Sequence, residues 1–249
     1  MLQHDEQIGL VLRKLEEMGI AYDTVVIYST DNGPEHSTWP HGSTTPYRSE
    51  KVTTWEGGLR VRKMVHRRGH IPAGRELNGI HCGEGVYTTL AHIAGAPDIP
   101  AKLAAGDKLG GEINHRCYID GLDQLAYWTG KTDTSARHSF YYYSESHLQA
   151  MRWNQWKIHF TVRDGYYGSA KQLEIPWLFN IRQDPFESYE QAPGPRAEQS
   201  QNKSGIMNSM LHEMHEHLST FKDYPPRQEA SSLNIDEMIK KMAESKLGQ

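Results

Sequence analysis

A short apolar run followed directly by turn-forming residues constrains this sequence more than any other stretch. Residues 24–30 read Thr-Val-Val-Ile-Tyr-Ser-Thr, a β-branched, nearly all-apolar run that predicts a strand buried on both faces of a parallel sheet. Asp31-Asn32-Gly33-Pro34 then ends the strand with four turn-forming residues. An acid and an amide therefore follow the carboxyl end of a buried strand, where open α/β sheets place their ligand sites.

A second polar segment follows the strand. Lys51 precedes Trp55-Glu56-Gly57-Gly58-Leu59-Arg60, whose paired glycines predict a tight turn. Oxygen ligands from Asp31 and Asn32 and a fixed ammonium group at Lys51 would together suit an anionic substrate on a divalent metal.

The intervening loop, residues 35–50, carries two histidines. His36 and His41 are candidates for ligands or acid–base groups near Asp31. More commonly, a loop histidine only makes hydrogen bonds to the backbone or to water. The sequence leaves both interpretations, a functional role and a purely structural one, open.

In order and spacing, these strings resemble the second half of a type I sulfatase of the arylsulfatase kind. The resemblance is carried by Asp31-Asn32-Gly33, by Arg48-x-x-Lys51 and by Lys51-x-x-x-Trp55-Glu56-Gly57-Gly58-x-Arg60. Trp156-Lys157 and Asp184-Pro185-Phe186-Glu187 resemble two further strings of the same family. The resemblance covers nearly the whole chain.

The resemblance implies an α/β fold. The expected architecture is part of a mixed, mostly parallel sheet flanked by helices, followed by a small C-terminal antiparallel sheet with a closing helix. The corresponding domains are residues 1–135, the C-terminal part of the catalytic α/β domain, and residues 136–249, the antiparallel subdomain with a helical tail.

Residue patterns predict most elements of this architecture. Val86, Leu90, Ile93 and Ala94 are expected to face inward from a helix over residues 85–95, and Gly19 is expected to end the first helix. The predicted helices span residues 5–18, 85–95, 207–221 and 235–242, and the predicted strands span residues 24–30, 59–65, 140–143, 148–152 and 156–162.

The resemblance also implies roles for individual residues. Asp31 and Asn32 would be calcium ligands, and Lys51 would bind a sulfate oxygen and assist the leaving group. Arg48, His36 and His41 are candidates for the substrate side of the site. The implied substrate is a sulfate-ester small molecule or a sulfated glycan.

The nucleophile of the family has no counterpart here. It is a formylglycine made from the cysteine or serine of C/S-x-P-x-R, and the nearest string, Thr44-Thr45-Pro46-Tyr47-Arg48, has a threonine that cannot yield the aldehyde. The resembled family places further metal ligands upstream of the matched part. We therefore expect a chain that is inactive alone and that has the missing N-terminal half as a partner.

Two alternatives remain open at this point. One is a phosphate or phosphonate ester hydrolase of the same superfamily, and the other is a non-catalytic sulfatase-like fragment that binds a partner. The net charge of −4, with both signs interspersed, argues against a nucleic-acid partner. No apolar run approaches the roughly 18 residues of a membrane helix, and the sequence leaves the cellular compartment open.

Overall fold

A computed structural model describes residues 2–106, 116–144, 146–188 and 203–225, and the chain divides into two compact units. The first unit takes residues 1–33 and 60–138, and the second takes residues 34–59 and 139–249. Asp31 and Asn32 therefore belong to the first unit, and Lys51 to the second. The domain boundary expected at residues 135/136 stays a prediction.

The described elements are helices and antiparallel strands, which confirms the α/β class. The elements are α1 (Leu2–Glu17), β1 (Val26–Ser29), α2 (Glu56–Leu59), β2 (Lys63–His66), α3 (Glu84–Ile93), α4 (Ile99–Ala105), α5 (Leu125–Thr129), β3 (Ser139–Ser144), β4 (His147–Trp153), β5 (Trp156–Val162), β6 (Lys171–Asn180) and α6 (Ser204–Ser219). The first unit holds α1, β1, β2 and α3–α5, and the second holds α2, β3–β6 and α6.

The strand before the candidate ligands is present but less buried than its sequence suggests. β1 pairs antiparallel with β2, with Val26 opposite His66 and Ser29 opposite Lys63. The first three residues of β1 are only half-buried, so the expectation of burial on both faces is wrong for the described residues. The physical reason is that β2 is the one neighbour described for β1, and no parallel neighbour is described.

In the first unit, α1 and α3 begin and end close to where their sequence patterns predict, but the residues that α3 buries differ from those predicted. α1 ends before Gly19, which has the expected left-handed conformation at φ 70°. Of the four residues expected to face inward from α3, Val86 and Ile93 are half-buried, whereas Leu90 and Ala94 are exposed, so the prediction is wrong for the latter two. The fully buried residues of α3 are Gly85, Thr88 and Thr89. The burial of Thr89 is explained by its hydroxyl group, which donates to the Gly85 carbonyl at 2.6 Å and accepts from the Gln124 N–H at 3.0 Å.

The second unit is built on the antiparallel sheet β3-β4-β5-β6, as predicted. Side chains alternate along β5 and β6, and Ile158 and Leu178, which are paired, face α6 together with Met151 and Trp156. Met210 of α6 inserts into this cluster and is 1% exposed. The apolar face of α6 thus closes one side of the sheet, which confirms the small antiparallel sheet with its helix.

The opposite side of the sheet is covered by the segment that precedes Arg60. Trp55 is fully buried against Val162, Phe179 and Ile181, and its indole N–H donates to the Arg163 carbonyl at 2.9 Å. The segment around the glycine pair is therefore part of the core of the second unit. The helix predicted over residues 235–242 lies outside the described residues.

The close approach of two backbone segments at Gly57 gives a test of this packing. A Cβ atom at Gly57 would overlap the carbonyl oxygens of Arg48 and Ser49, which are backbone atoms and cannot swing away. We expect Gly57→Ala to lower the free energy of unfolding by about 2 kcal/mol or more. Gly205→Ala is the matched control, because no atom lies within 4 Å of the added methyl group and alanine favours the helix. Urea denaturation measures both, and equal stability of the two variants would contradict the packing.

Candidate functional site

The end of β1 carries the two predicted cation ligands. Asp31 is exposed, and its carboxylate accepts a hydrogen bond from the Thr30 hydroxyl at 3.4 Å. The side-chain nitrogen of Asn32 donates to the Gly33 carbonyl at 3.1 Å. A carboxylate and an amide oxygen are hard donors of the kind that calcium prefers.

The ligand atoms of these two side chains are of the kind that a divalent cation prefers, but two ligands are too few to hold one. Calcium takes about 6–8 oxygen ligands. Nowhere in the described ranges do three or more His, Cys, Asp or Glu side chains lie close enough to hold a metal ion. Asp31 and Asn32 would thus be two ligands of a larger set, and their role stays a prediction.

Lys51 lies in a tight turn of the second unit. Its backbone N–H donates to the Pro34 carbonyl at 3.0 Å, and its ammonium group lies 3.5 Å from the carboxylate of Glu35. The Lys51 side chain is 38% exposed. A long, partly exposed ion pair of this kind contributes little stability, so an incoming anion can replace Glu35 at small cost.

The backbone on both sides of Lys51 is strained. Ser49 and Val52 have φ angles of 65° and 76°, in the left-handed region. This conformation is unfavourable for a β-branched residue such as Val52, and it persists only where the surroundings impose it. Strained positions of this type cluster at ligand-binding and catalytic sites, so the turn is a functional-site candidate on its own geometry.

Glu50, which sequence reasoning did not single out, holds the turn to two other segments. One carboxylate oxygen accepts the His36 backbone N–H at 2.6 Å, and the other accepts the Tyr166 backbone N–H at 3.0 Å. Burial raises the pKa of Glu50, but these two donors and nearby His36 outweigh it, so its pKa lies below the ordinary value. The carboxylate is therefore ionised at neutral pH.

The predicted substrate-side residues are placed differently from one another. His36 is 48% exposed, with its ring nitrogen 3.8 Å from Glu50, close in sequence to the Glu35 partner of Lys51. His41 is exposed, and its backbone N–H donates to the Thr38 carbonyl at 2.8 Å. The structure thus brings His36 to the Lys51 turn, while the substrate-side role of both histidines stays a prediction.

Arg48 is engaged in the core of the second unit. Its guanidinium group lies over Trp55 at 3.6 Å, donates to the Glu187 carbonyl at 2.9 Å and pairs with Asp164 at 3.3 Å. Its side chain is only 18% exposed. These contacts give Arg48 a structural function, and the expected role on the substrate side stays a prediction.

A buried ionic cluster lies beneath this turn. The ammonium group of Lys157 lies 2.9 Å from Glu56 and 3.2 Å from Glu187, and all three side chains are almost completely buried. Glu187 also accepts the Glu56 backbone N–H at 2.7 Å and contacts the His159 ring at 2.7 Å. Residues from α2, β5 and the turn after β6 therefore share one buried charge network.

Burial and neighbouring charges determine the charge on Glu187 and His159. Burial alone would raise the pKa of Glu187, but Lys157 and His159 lower it to about 2. Burial lowers the pKa of His159, so the ring is neutral. A neutral ring with its proton on Nε2 satisfies both contacts, because it donates to Glu187 and accepts from the Thr54 hydroxyl at 3.4 Å.

Three of these charged residues belong to the strings that carry the resemblance. Glu56 lies in Trp-Glu-Gly-Gly, Lys157 in Trp-Lys and Glu187 in Asp-Pro-Phe-Glu. Charged residues in otherwise apolar or turn-forming strings were a signal that they are buried and paired. Their meeting point was not accessible from the sequence, because Glu56 and Glu187 are separated by 131 positions.

Comparison with known proteins identifies the family. A family model described as "Sulfatase" matches residues 1–96, and one described as "C-terminal region of aryl-sulfatase" matches residues 135–248. The chain belongs to the sulfatase family. It corresponds to a sulfatase-like C-terminal portion, as the sequence strings predicted.

Individual relatives of this sulfatase-family chain show how much of the family it spans. Steryl-sulfatase of Rattus norvegicus is 26% identical over 92% of this chain and 41% of its own length. N-acetylgalactosamine-6-sulfatase of Canis lupus familiaris is 33% identical over 74% and 37%, respectively. The chain thus spans about two fifths of the length of these relatives.

A solved structure supports the same assignment. The PsFucS1 sulfatase from Pseudoalteromonas sp. aligns with a TM-score of 0.73 and 31% identity, over 89% of this chain and 42% of that protein. None of the helices in the described part of the chain is long and apolar enough to cross a membrane.

The buried cluster predicts a large cost for removing one charge. Glu187→Gln would leave the ammonium group of Lys157 with reduced compensation in a dry site, and we expect it to lower the free energy of unfolding by about 3–5 kcal/mol. Glu216→Gln is the control, because Glu216 pairs with His212 on the surface of α6 and both side chains are more than half exposed. Urea denaturation measures the stability of both variants. An equal loss of stability in the two would contradict the buried ionic cluster.

The same cluster predicts a pH window. The pKa of Glu187 is about 2 in the folded chain and about 4.5 ordinarily, so its stabilising effect is complete above pH 4.5 and is lost as the pH falls toward 2. The stability difference between the wild-type chain and Glu187→Gln should therefore narrow across this window. Urea titrations at stepped pH measure it, and a constant difference would contradict the lowered pKa.

Proposed function

We propose that this chain acts as the C-terminal part of an enzyme that hydrolyses sulfate monoesters, such as sulfated sugars or aryl sulfates. The observation that carries the proposal is the match of two sulfatase family models to successive parts of one chain. The relatives named above include a sulfatase of N-acetylgalactosamine 6-sulfate, which favours sulfated substrates for this chain as well.

Lys51 would bind the sulfate group. Its partly exposed ammonium group lies in the strained turn, where Glu35 is its weak partner. A sulfate oxygen would replace the Glu35 carboxylate and receive a charge-assisted hydrogen bond. The sulfuryl group would pass to a nucleophile supplied by the N-terminal half of the enzyme. As the ester S–O bond breaks, the Lys51 ammonium group would give a proton to the leaving oxygen and would then be reprotonated by solvent.

Asp31 and Asn32 would supply two oxygen ligands to a calcium ion. The cation would neutralise charge on the sulfuryl oxygens. The exposed Asp31 carboxylate and the amide oxygen of Asn32 support this assignment in chemistry. The further ligands, and the formylglycine nucleophile whose motif this sequence lacks, would come from the N-terminal half of a sulfatase.

A chimeric enzyme tests the role of Lys51. We expect that this chain, fused behind the N-terminal portion of the PsFucS1 sulfatase that precedes the matched region, hydrolyses a sulfate ester. Lys51→Ala should then lower kcat/KM by roughly 100-fold or more, because a cation on the reacting group is lost. Lys171→Ala is the control, since Lys171 is an exposed lysine at the start of β6.

Several outcomes of this experiment would contradict the proposal. Full activity of Lys51→Ala in an active chimera would remove Lys51 from the site, and preference for phosphate over sulfate esters would favour the phosphate-ester alternative. Ordinary turnover by the isolated chain that is abolished by Lys51→Ala would contradict the need for an N-terminal half.

A further inference from the structure

The tip of the β5–β6 hairpin presents two adjacent tyrosines. The ring centroids of Tyr166 and Tyr167 are 4.9 Å apart at an interplanar angle of 62°. Tyr167 is 84% exposed, and Tyr166 is half-buried beneath it. Tyr167 therefore presents a large aromatic surface that a ligand can reach. The core of the second unit does not explain it, because neither tyrosine belongs to the apolar clusters of the sheet.

This tip is fixed to the Lys51 turn. The backbone N–H of Tyr166 donates to the carboxylate of Glu50, the residue immediately before Lys51, at 3.0 Å. Asp164 of the same tip pairs with Arg48 at 3.3 Å. The hairpin tip is therefore held, by two independent contacts within one unit, to the turn that contains the candidate sulfate-binding residue.

The polar side chains around the two tyrosines indicate which kind of ligand group the rings would contact. Polar and charged side chains surround the turn and the tip, including Glu35, His36 and Asp164, of which Asp164 is 79% exposed. A steroid or other large apolar group would need an apolar wall on several sides. A sugar ring presents one C–H face to an aromatic ring and hydroxyl groups to polar neighbours, and tyrosine is suited to such amphipathic contacts.

We propose that Tyr166 and Tyr167 form the subsite for the sugar ring whose sulfate group is bound by Lys51. This inference rests on the proposed function and adds the substrate class and the residues that select it. Tyr167 would contact the face of the sugar, and Glu50 would act as a positioning residue that keeps the tip and the turn in register.

Saturation-transfer NMR on the full chain tests the subsite. The probes are N-acetylgalactosamine 6-sulfate, inorganic sulfate as its competitor, and 4-nitrophenyl sulfate. We expect transfer to the sugar ring protons and a roughly five- to tenfold weaker affinity in Tyr167→Ala, with Tyr167→Phe retaining the binding. Tyr87→Ala is the control, because Tyr87 is an exposed tyrosine on α3 of the first unit at 53% exposure.

The outcomes separate the two proposals. Lys51→Ala should weaken competition by inorganic sulfate, whereas Tyr167→Ala should leave it unchanged. If Lys51→Ala has no effect on sulfate, the proposed function fails. If the sugar ring receives no saturation, if Tyr167→Ala binds it like the wild-type chain, or if only 4-nitrophenyl sulfate is affected, the sugar subsite is overturned whatever Lys51 does.

Discussion

The buried ammonium group of Lys157 is the interaction on which the second unit depends. It lies between the carboxylates of Glu56 and Glu187. Glu56 precedes the C-terminal sheet in sequence, and Glu187 follows it. Burying these charges is costly, and well-packed apolar residues often give equal or greater stability at such positions. A buried charge network of this kind does, however, specify one arrangement, because any slip of the α2 segment would separate the Glu56 carboxylate from its cation.

The same arrangement fixes the position of the Lys51 turn, which is part of the candidate site. Trp55 and Glu56 are fixed against the sheet, and the Gly57 N–H donates to the Arg48 carbonyl at 2.8 Å. The chain between Arg48 and Trp55 is thereby held at both ends, which is the condition under which Val52 can keep its unfavourable backbone conformation. The strings that resemble the family are thus mainly the structural support of the Lys51 turn.

Sequence periodicity predicted most of the fold. The amphipathic patterns of α1 and α6 and the aromatic, β-branched runs of β3, β4 and β5 were sufficient to place these elements. β6 was not predicted, because Pro176 interrupts its pattern; the proline is accommodated where the pairing with β5 is irregular, between Trp177 and Gln172. The burial of α3 was also missed, since the Thr89 hydroxyl accepts a hydrogen bond from Gln124, a residue that lies distant in sequence.

The candidate site was only partly accessible from the sequence. Asp31, Asn32 and Lys51 were found because they lie in short strings with a recognisable order. Glu50 and Tyr166 were not, because they lie 116 positions apart and neither occurs in a pattern that predicts their contact. Long-range contacts of single polar residues leave no local periodicity, so only the folded chain reveals them.

The way in which Glu50 holds the hairpin tip has a consequence for the evolution of the chain. The carboxylate binds the backbone N–H of residue 166, a group that every residue except proline possesses. Substitutions at the tip therefore change the surface offered to a ligand without releasing the tip from the turn. A point mutation at the tip can therefore alter its exposed side chains while Glu50, the residue next to Lys51, still anchors its backbone.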